Sequence, residues 1–269
     1  YVLSIMESVD MFNDVKSIDF EEGVKSGIIE YIGDDVIEDY LDNVEKQRVS
    51  TDIDVSGLKV IYTPLNGSGN KPVRSILKRI GLTDVTVVPE QEMPDGNFPT
   101  APYPNPEIRQ AFECALKMAE TVKPDLLLAT DPDSDRVGIA IAVNGEYKLL
   151  SGNDVGALLL NYVLMRRSEA GTLPKNPIAV KTIVSTELCQ KICDHYGCEL
   201  INVLTGFKFI GEQITILEKK NEQNRYVFGF EESYGYLAGS YVRDKDAVVG
   251  SMLICEMTAY YKTLGKTLE

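Results

Sequence analysis

Three aspartates alternate through residues 131–135 of Thr130-Asp131-Pro132-Asp133-Ser134-Asp135-Arg136, and apolar runs flank them on both sides. Leu126-Leu127-Leu128-Ala129 comes before the loop, and Val137-Gly138-Ile139-Ala140-Ile141-Ala142-Val143 comes after it. Both runs have the length and composition of buried strands. The chain must therefore deliver a cluster of negative charge to the edge of a covered sheet. Carboxylates this close repel one another, and folding tolerates them only with a cation or fixed positive groups nearby. An all-oxygen donor set suits a hard ion, Mg²⁺ first, with Asp131, Asp133 and Asp135 as ligands. Arg136 follows directly and can hold a phosphate that the metal also touches.

Other readings compete for the same loop. A solvated acidic turn is one, and the apolar strands on both sides argue against it. A calcium EF-hand loop needs Gly at its sixth position and Glu at its twelfth; here those are Arg136 and Ala142, which excludes it. An aspartyl-phosphate hydrolase with Asp131 as nucleophile stays open.

The chain has 269 residues, enough for two domains of ordinary size. Its net charge of −14 argues against nucleic acid and anionic membrane as partners. It does not argue against a phosphorylated substrate, because local Arg, Lys and Mg²⁺ decide that. No apolar run approaches the ~20 residues of a membrane span, and no signal-peptide pattern is visible. A start at Tyr1 rather than Met suggests an excised piece. An odd count of five cysteines without a regular framework suggests reduced thiols and a cytoplasmic protein. Cys189, Cys193, His195 and Cys198 fit an apolar helix face better than a zinc site.

Strands and helices alternate along the chain. Residues 1–33 are weakly periodic and linker-like. Asp34 opens a helix through Val44, and Leu58–Tyr62 is a strand. The turn Thr63-Pro64-Leu65-Asn66-Gly67-Ser68-Gly69 leads into a helix that Asn70 is expected to cap. It lacks a P-loop ending, so a tight turn is the preferred role. A strand at 84–88, a proline-rich loop from Pro89 to Pro106, a helix at 107–121 and the strand at 125–129 complete the approach to the Asp loop. Asn144-Gly145 then marks a two-residue hairpin.

A second cycle begins at Ser151. Helices are predicted at 154–166, near 186–196 and near 208–220, with strands at 178–183, 199–203 and 226–230. Two similar α/β units result, 1–150 and 151–269, with a boundary near Leu150. Ligands bind outside the carboxyl ends of strands in such sheets. In the second unit Thr205-Gly206-Phe207-Lys208 opens a helix, where backbone N–H groups and Lys208 can meet an anion. Phe228-Gly229-Phe230-Glu231-Glu232-Ser233-Tyr234-Gly235-Tyr236 sets two carboxylates and a hydroxyl past a strand, chemistry that suits sugar hydroxyls. In Arg243-Asp244-Lys245-Asp246, Lys245 can reach a phosphate.

Together these motifs resemble the α-D-phosphohexomutase family, the phosphoglucomutases and phosphomannomutases, and most closely its bacterial branch. Asp131 to Arg136 looks like the family's magnesium loop, and Glu231 to Gly235 like its sugar-specificity loop. The resemblance covers residues from about 58 to 264. It implies three-layer α/β domains with mixed, mostly parallel sheets, and Mg²⁺ on Asp131, Asp133 and Asp135. It also implies a hexose phosphate (glucose or mannose 1- or 6-phosphate) as substrate. Glu231 and Ser233 would hold the sugar. Thr205, Gly206, Lys208 and Arg243 would contribute to substrate binding, Arg136 would steady an enzyme phosphoserine, and Lys245 would contact substrate and is a candidate for proton transfer. The family's first domain carries the phosphoserine and its fourth a phosphate-binding loop. Neither motif occurs here, so the chain resembles the second and third domains alone, with the first and fourth as its partners. The isolated piece is expected to be inactive.

Overall fold

The computed structural model describes residues 1–269. Residues Tyr1–Asp39 form a small unit of their own, and Tyr40–Glu269 form a larger one. The small unit contains α1 (Val2–Met6), α2 (Phe20–Lys25) and the start of α3 (Asp34–Glu45). Asp19 caps α2 by accepting the Glu22 N–H.

The larger unit holds two sheets. The first is built from β1 (Val60–Thr63), α4 (Asn70–Arg79), β2 (Val85–Val87), α5 (Pro89–Glu92), α6 (Glu113–Val122), β3 (Leu126–Thr130), β4 (Val137–Val143) and β5 (Glu146–Leu149). Its strand order is β2-β1-β3-β4-β5, with β2, β1 and β3 parallel and β4 and β5 antiparallel. Side chains alternate strictly across it. Val60, Tyr62, Leu126, Leu128, Ile139 and Ile141 join one apolar cluster, whereas Ile61, Leu127, Ala129 and Ala140 join another with Phe112, Ala115 and Ala119. Both faces of β1 and β3 are covered, which explains why these two strands are buried and mostly apolar along their whole length.

The second sheet follows α7 (Gly152–Glu169), through β6 (Ile178–Thr182), α8 (Leu188–Tyr196), β7 (Glu199–Val203), α9 (Phe207–Lys219), β8 (Tyr226–Phe230), β9 (Tyr236–Leu237) and α10 (Ala247–Thr263). Its order, β7-β6-β8-β9, repeats that of the first sheet without the last edge strand. The molecule is thus a mixed α/β protein with two sheets whose central strands run parallel. Ser151 and Asp154 start α7 with a reciprocal capping box. Cys189 and Cys193 are buried on α8, and all five thiols are free. No helix is long and apolar enough to cross a membrane.

α10 lies between the sheets and touches α4, β3 and β4 as well as α7 and β9. Its one buried charge, Glu256, is fully enclosed. Oε1 accepts the N–H groups of Val49 (3.1 Å) and Ser50 (3.0 Å), and Oε2 accepts Arg48 Nε at 3.0 Å. The hydroxyl of Tyr162, on α7, reaches both Ser50 Oγ and Glu256 Oε1. One carboxylate therefore ties the segment before β1 to α7 and α10.

Two local expectations need correction, and one short strand has no sequence signal. Asn70 does not cap α4: Gly69 occupies that position, and the Asn70 amide donates to the Glu92 carbonyl instead. The helix predicted from 107 begins as a 3₁₀ turn, Arg109–Phe112, because the Asn105 side chain takes the Glu107 N–H and holds the chain in a turn there. β9 was not expected, since two residues carry no periodic signal.

Candidate functional site

The Asp loop joins β3 to β4 as a six-residue connection, with Thr130 opposite Val137 in the ladder. Asp131 shapes it. Its Oδ1 accepts the N–H groups of Asp135 (3.1 Å) and Arg136 (2.9 Å), and its carbonyl accepts the Ser134 N–H. Ser134 takes a left-handed conformation at φ 61° to close the turn. One ligand oxygen from each of Asp131, Asp133 and Asp135 lies within 4.8 Å of the others. Burial raises the Asp131 carboxyl to about 7; the Arg136 N–H opposes this, and Asp135 and Asp133 add to it. The three convergent carboxylate oxygens fit an oxygen-ligated divalent cation.

The glycine-rich turn after β1 supports this loop from below. Ser68 donates its N–H (2.8 Å) and its hydroxyl (3.1 Å) to the Pro132 carbonyl. A β-carbon at Gly69 would stand 2.7 Å from both Ser134 Oγ and Thr130 Oγ1. These glycines serve close approach of one loop to another. Ser68, a conceivable nucleophile from its exposure in a turn, spends its hydroxyl on that contact.

Arg136 is held by carboxylates. Glu107 Oε1 lies 3.2 Å from its Nη1, and Asp135 Oδ1 and Asp131 Oδ2 lie 3.7 and 3.9 Å from its Nε. Its backbone pairs with Gly235 in an isolated antiparallel bridge, and the Val137 N–H donates to the Tyr234 carbonyl. The acidic loop and the Glu231–Gly235 loop are therefore joined by main chain. That second loop closes the β8–β9 hairpin: the Glu231 N–H donates to the Gly235 carbonyl at 2.9 Å, and Tyr234 is left-handed at φ 68°.

Glu231 is buried, and its Oε1 accepts the Gly206 N–H at 2.9 Å. Burial raises its carboxyl above the ordinary glutamate value, against the Gly206 N–H and Lys245. Glu232 turns to β6, where its Oε2 accepts Thr182 Oγ1 at 2.8 Å. Ser233 is half-buried at the tip between them. Lys245 reaches the acidic loop, with Nζ 2.8 Å from Asp135 Oδ2. Burial works against its charge, but Asp135 and Asp244 outweigh it and hold the pKa above the usual lysine value.

The remaining sequence candidates lie further out. Thr205 and Lys208 are exposed, and the Lys208 ammonium sits 5.0 Å from the Phe209 ring centroid. Arg243 is occupied by Glu218 (2.6 Å) and by the Ser240 and Val242 carbonyls. Lys208 and Arg243 line a groove of ≈ 680 Å³ that none of the three aspartates borders. Gly206 is thus joined to Glu231 directly, while Lys208 and Arg243 stand apart from the acidic loop.

Several participants escaped sequence reasoning. Glu107 reaches Arg136 from the turn that follows the proline-rich loop, and Thr182 and Ser185 share a 2.7 Å hydroxyl contact beside Glu232. Lys181 is fully buried in β6, donating to the Ser185 carbonyl (3.1 Å) and Glu187 (3.0 Å). A lone lysine inside an apolar strand was the available signal for that cluster.

A metal-capable acidic loop is thus bonded by main chain to a carboxylate-rich loop, on a protein of paired α/β sheets. Residues 38–144 match the model of phosphoglucomutase/phosphomannomutase alpha/beta/alpha domain II, and residues 151–269 match that of domain III. The chain belongs to the phosphoglucomutase/phosphomannomutase family. A phosphoglucomutase of Staphylococcus aureus (strain MRSA252) is 37% identical over 235 residues, covering 87% of this chain and 41% of the relative. The chain thus spans less than half the length of that relative. A phosphoglucomutase/phosphomannomutase family protein from Burkholderia thailandensis shares the fold at a TM-score of 0.64 with 17% identity, over 84% of this chain and 44% of that one. An Aspergillus fumigatus N-acetylphosphoglucosamine mutase, solved with GlcNAc-6P and magnesium, superposes at 0.54 with 16% identity, over 84% of this chain and 50% of that one.

Proposed function

We propose that this chain is the central portion of a mutase that moves a phosphoryl group between the 1- and 6-positions of a hexose through an enzyme phosphoserine and a bisphosphate intermediate. Residues 1–150 and 151–269 are assigned as its second and third domains. The observation that carries the reading is the main-chain bridge between Arg136 and Gly235, which keeps a metal-type loop and a sugar-type loop side by side.

Asp131, Asp133 and Asp135 would hold Mg²⁺, which when bound neutralises charge on the phosphoryl group as it moves. Arg136, steadied by Glu107, would present its guanidinium to the serine phosphate. Glu231 and Ser233 would accept and donate hydrogen bonds at sugar hydroxyls, with Gly206 fixing Glu231. Lys245 would meet the substrate phosphate and is the candidate for proton transfer. Thr205, Lys208 and Arg243 would act on the outer side of the substrate. The five free thiols agree with a reducing cytoplasm.

A hydrolase using Asp131 as nucleophile is the weaker reading. Its Oδ1 already accepts two backbone N–H groups, and Glu231 to Gly235 would have no role. The deciding experiment replaces the serine expected upstream of this segment in the full-length protein. Loss of glucose 1- and 6-phosphate interconversion supports the mutase; retained transfer, with a phosphate mimic trapped on Asp131, supports the hydrolase. The 269-residue chain alone should show no interconversion above an Asp131→Ala control, because donor and distal phosphate grip lie outside it.

A further inference from the structure

Two cations of the chain already attend Asp135. Lys245 Nζ lies 2.8 Å from Oδ2, and Arg136 Nε lies 3.7 Å from Oδ1. Lys245 has a second anchor in Asp244, whose Oδ1 is 2.9 Å away and whose side chain is 70% exposed. The Lys245 methylenes run across Gly235, where no β-carbon would fit without displacing them, and its ammonium faces the Phe207 ring at 5.6 Å. The lysine thus stands between a carboxylate of the acidic cluster and a solvent-facing carboxylate outside it.

We propose that Lys245 is the built-in counter-ion of Asp135 and exchanges with the divalent cation. Metal and ammonium compete for Asp135, and metal binding hands Lys245 to Asp244, next to the Glu231 loop. This inference rests on the metal assignment made above. Two cations a few Å from one carboxylate repel strongly outside bulk water. The ammonium can yield because lysine carries a point charge on a flexible stem. Asp244 keeps it paired afterwards, so release does not strand a charge. Arg136 is less free to move, since Glu107 also holds its guanidinium. The exchange imposes an order: the cation that contacts an anionic substrate group becomes available once the acidic loop is loaded.

The test is titration of the 269-residue chain with Mg²⁺ or Mn²⁺ alone. Lys245→Gln should bind metal about tenfold more tightly, equivalent to ~1.4 kcal/mol. Asp244→Asn should bind it more weakly, because Lys245 then has only Asp135 to return to. In the wild type, amine labelling at Lys245, followed by mass spectrometry, should rise on metal addition, since its side chain is only 13% exposed beforehand. Unchanged or weaker metal binding by Lys245→Gln, or labelling that stays flat or falls, overturns the exchange. Asp135→Asn separates the two claims: if it binds metal as the wild type does, the loop assignment itself is wrong.

Discussion

Gly67 lies against Pro132 so closely that a β-carbon there would stand 2.6 Å from the proline carbonyl oxygen and nearer still to its Cα. These are backbone atoms and cannot swing aside. Gly67→Ala should therefore push the acidic loop outward, at a cost of about 1–3 kcal/mol. Thermal denaturation should show the loss, and Mn²⁺ titration should show weaker binding from a residue that touches no ligand. A variant with wild-type melting and wild-type metal affinity would mean that the loop moves freely.

Gly206 sits at φ 112°, a conformation that side-chain-bearing residues rarely adopt, and its N–H orients Glu231. Gly206→Ala should cost about 1–3 kcal/mol of backbone strain. Glucose 6-phosphate binding, followed by NMR titration, should weaken further than this stability loss explains. Metal affinity should be unaffected, because Gly206 has no bond to the acidic loop.

Glu231 and Glu232 are adjacent yet differently engaged, one by Gly206 and the other by Thr182. The chain alone should bind hexose phosphate in the millimolar range, about −4 kcal/mol. Glu231→Ala should remove that binding, and Glu232→Ala should reduce it less. Equal losses would move the sugar contact to the Thr182 side.

Glu256 supports a different prediction, about stability. Glu256→Ala leaves Arg48 Nε and two backbone N–H groups without their acceptor, while Tyr162 keeps Ser50 Oγ, and should cost about 3–5 kcal/mol. Glu256→Gln keeps one acceptor oxygen and should cost less. Denaturant midpoints would rank the two, and a reversed rank would refute the acceptor role.

Much of this was legible because the pattern was locally caused. The two apolar runs around the aspartates are strands buried on both faces, and the Asn144-Gly145 turn takes the positive φ values its residues permit. What was not legible depended on distant partners. Nothing near Gly67 in sequence announces Pro132, and nothing near Glu256 announces Val49 and Ser50. Asn70 has the chemistry of a cap, but Glu92 from the next segment claims it. Lys208 and Arg243 have charges that suit phosphate, yet Arg243 is committed to Glu218.

The placement of α10 has a consequence for how the chain comes to be folded on a ribosome. Residues of the first sheet emerge well before Ala247–Thr263, the helix that covers one of its faces. At ordinary elongation rates the interval is roughly 6–20 s. During that time α4, β3 and β4 have an apolar side without its final partner, and Val49 and Ser50 await the carboxylate that will accept their N–H groups. Completion of the first sheet is thus a late event of synthesis, timed by a segment at the other end of the chain.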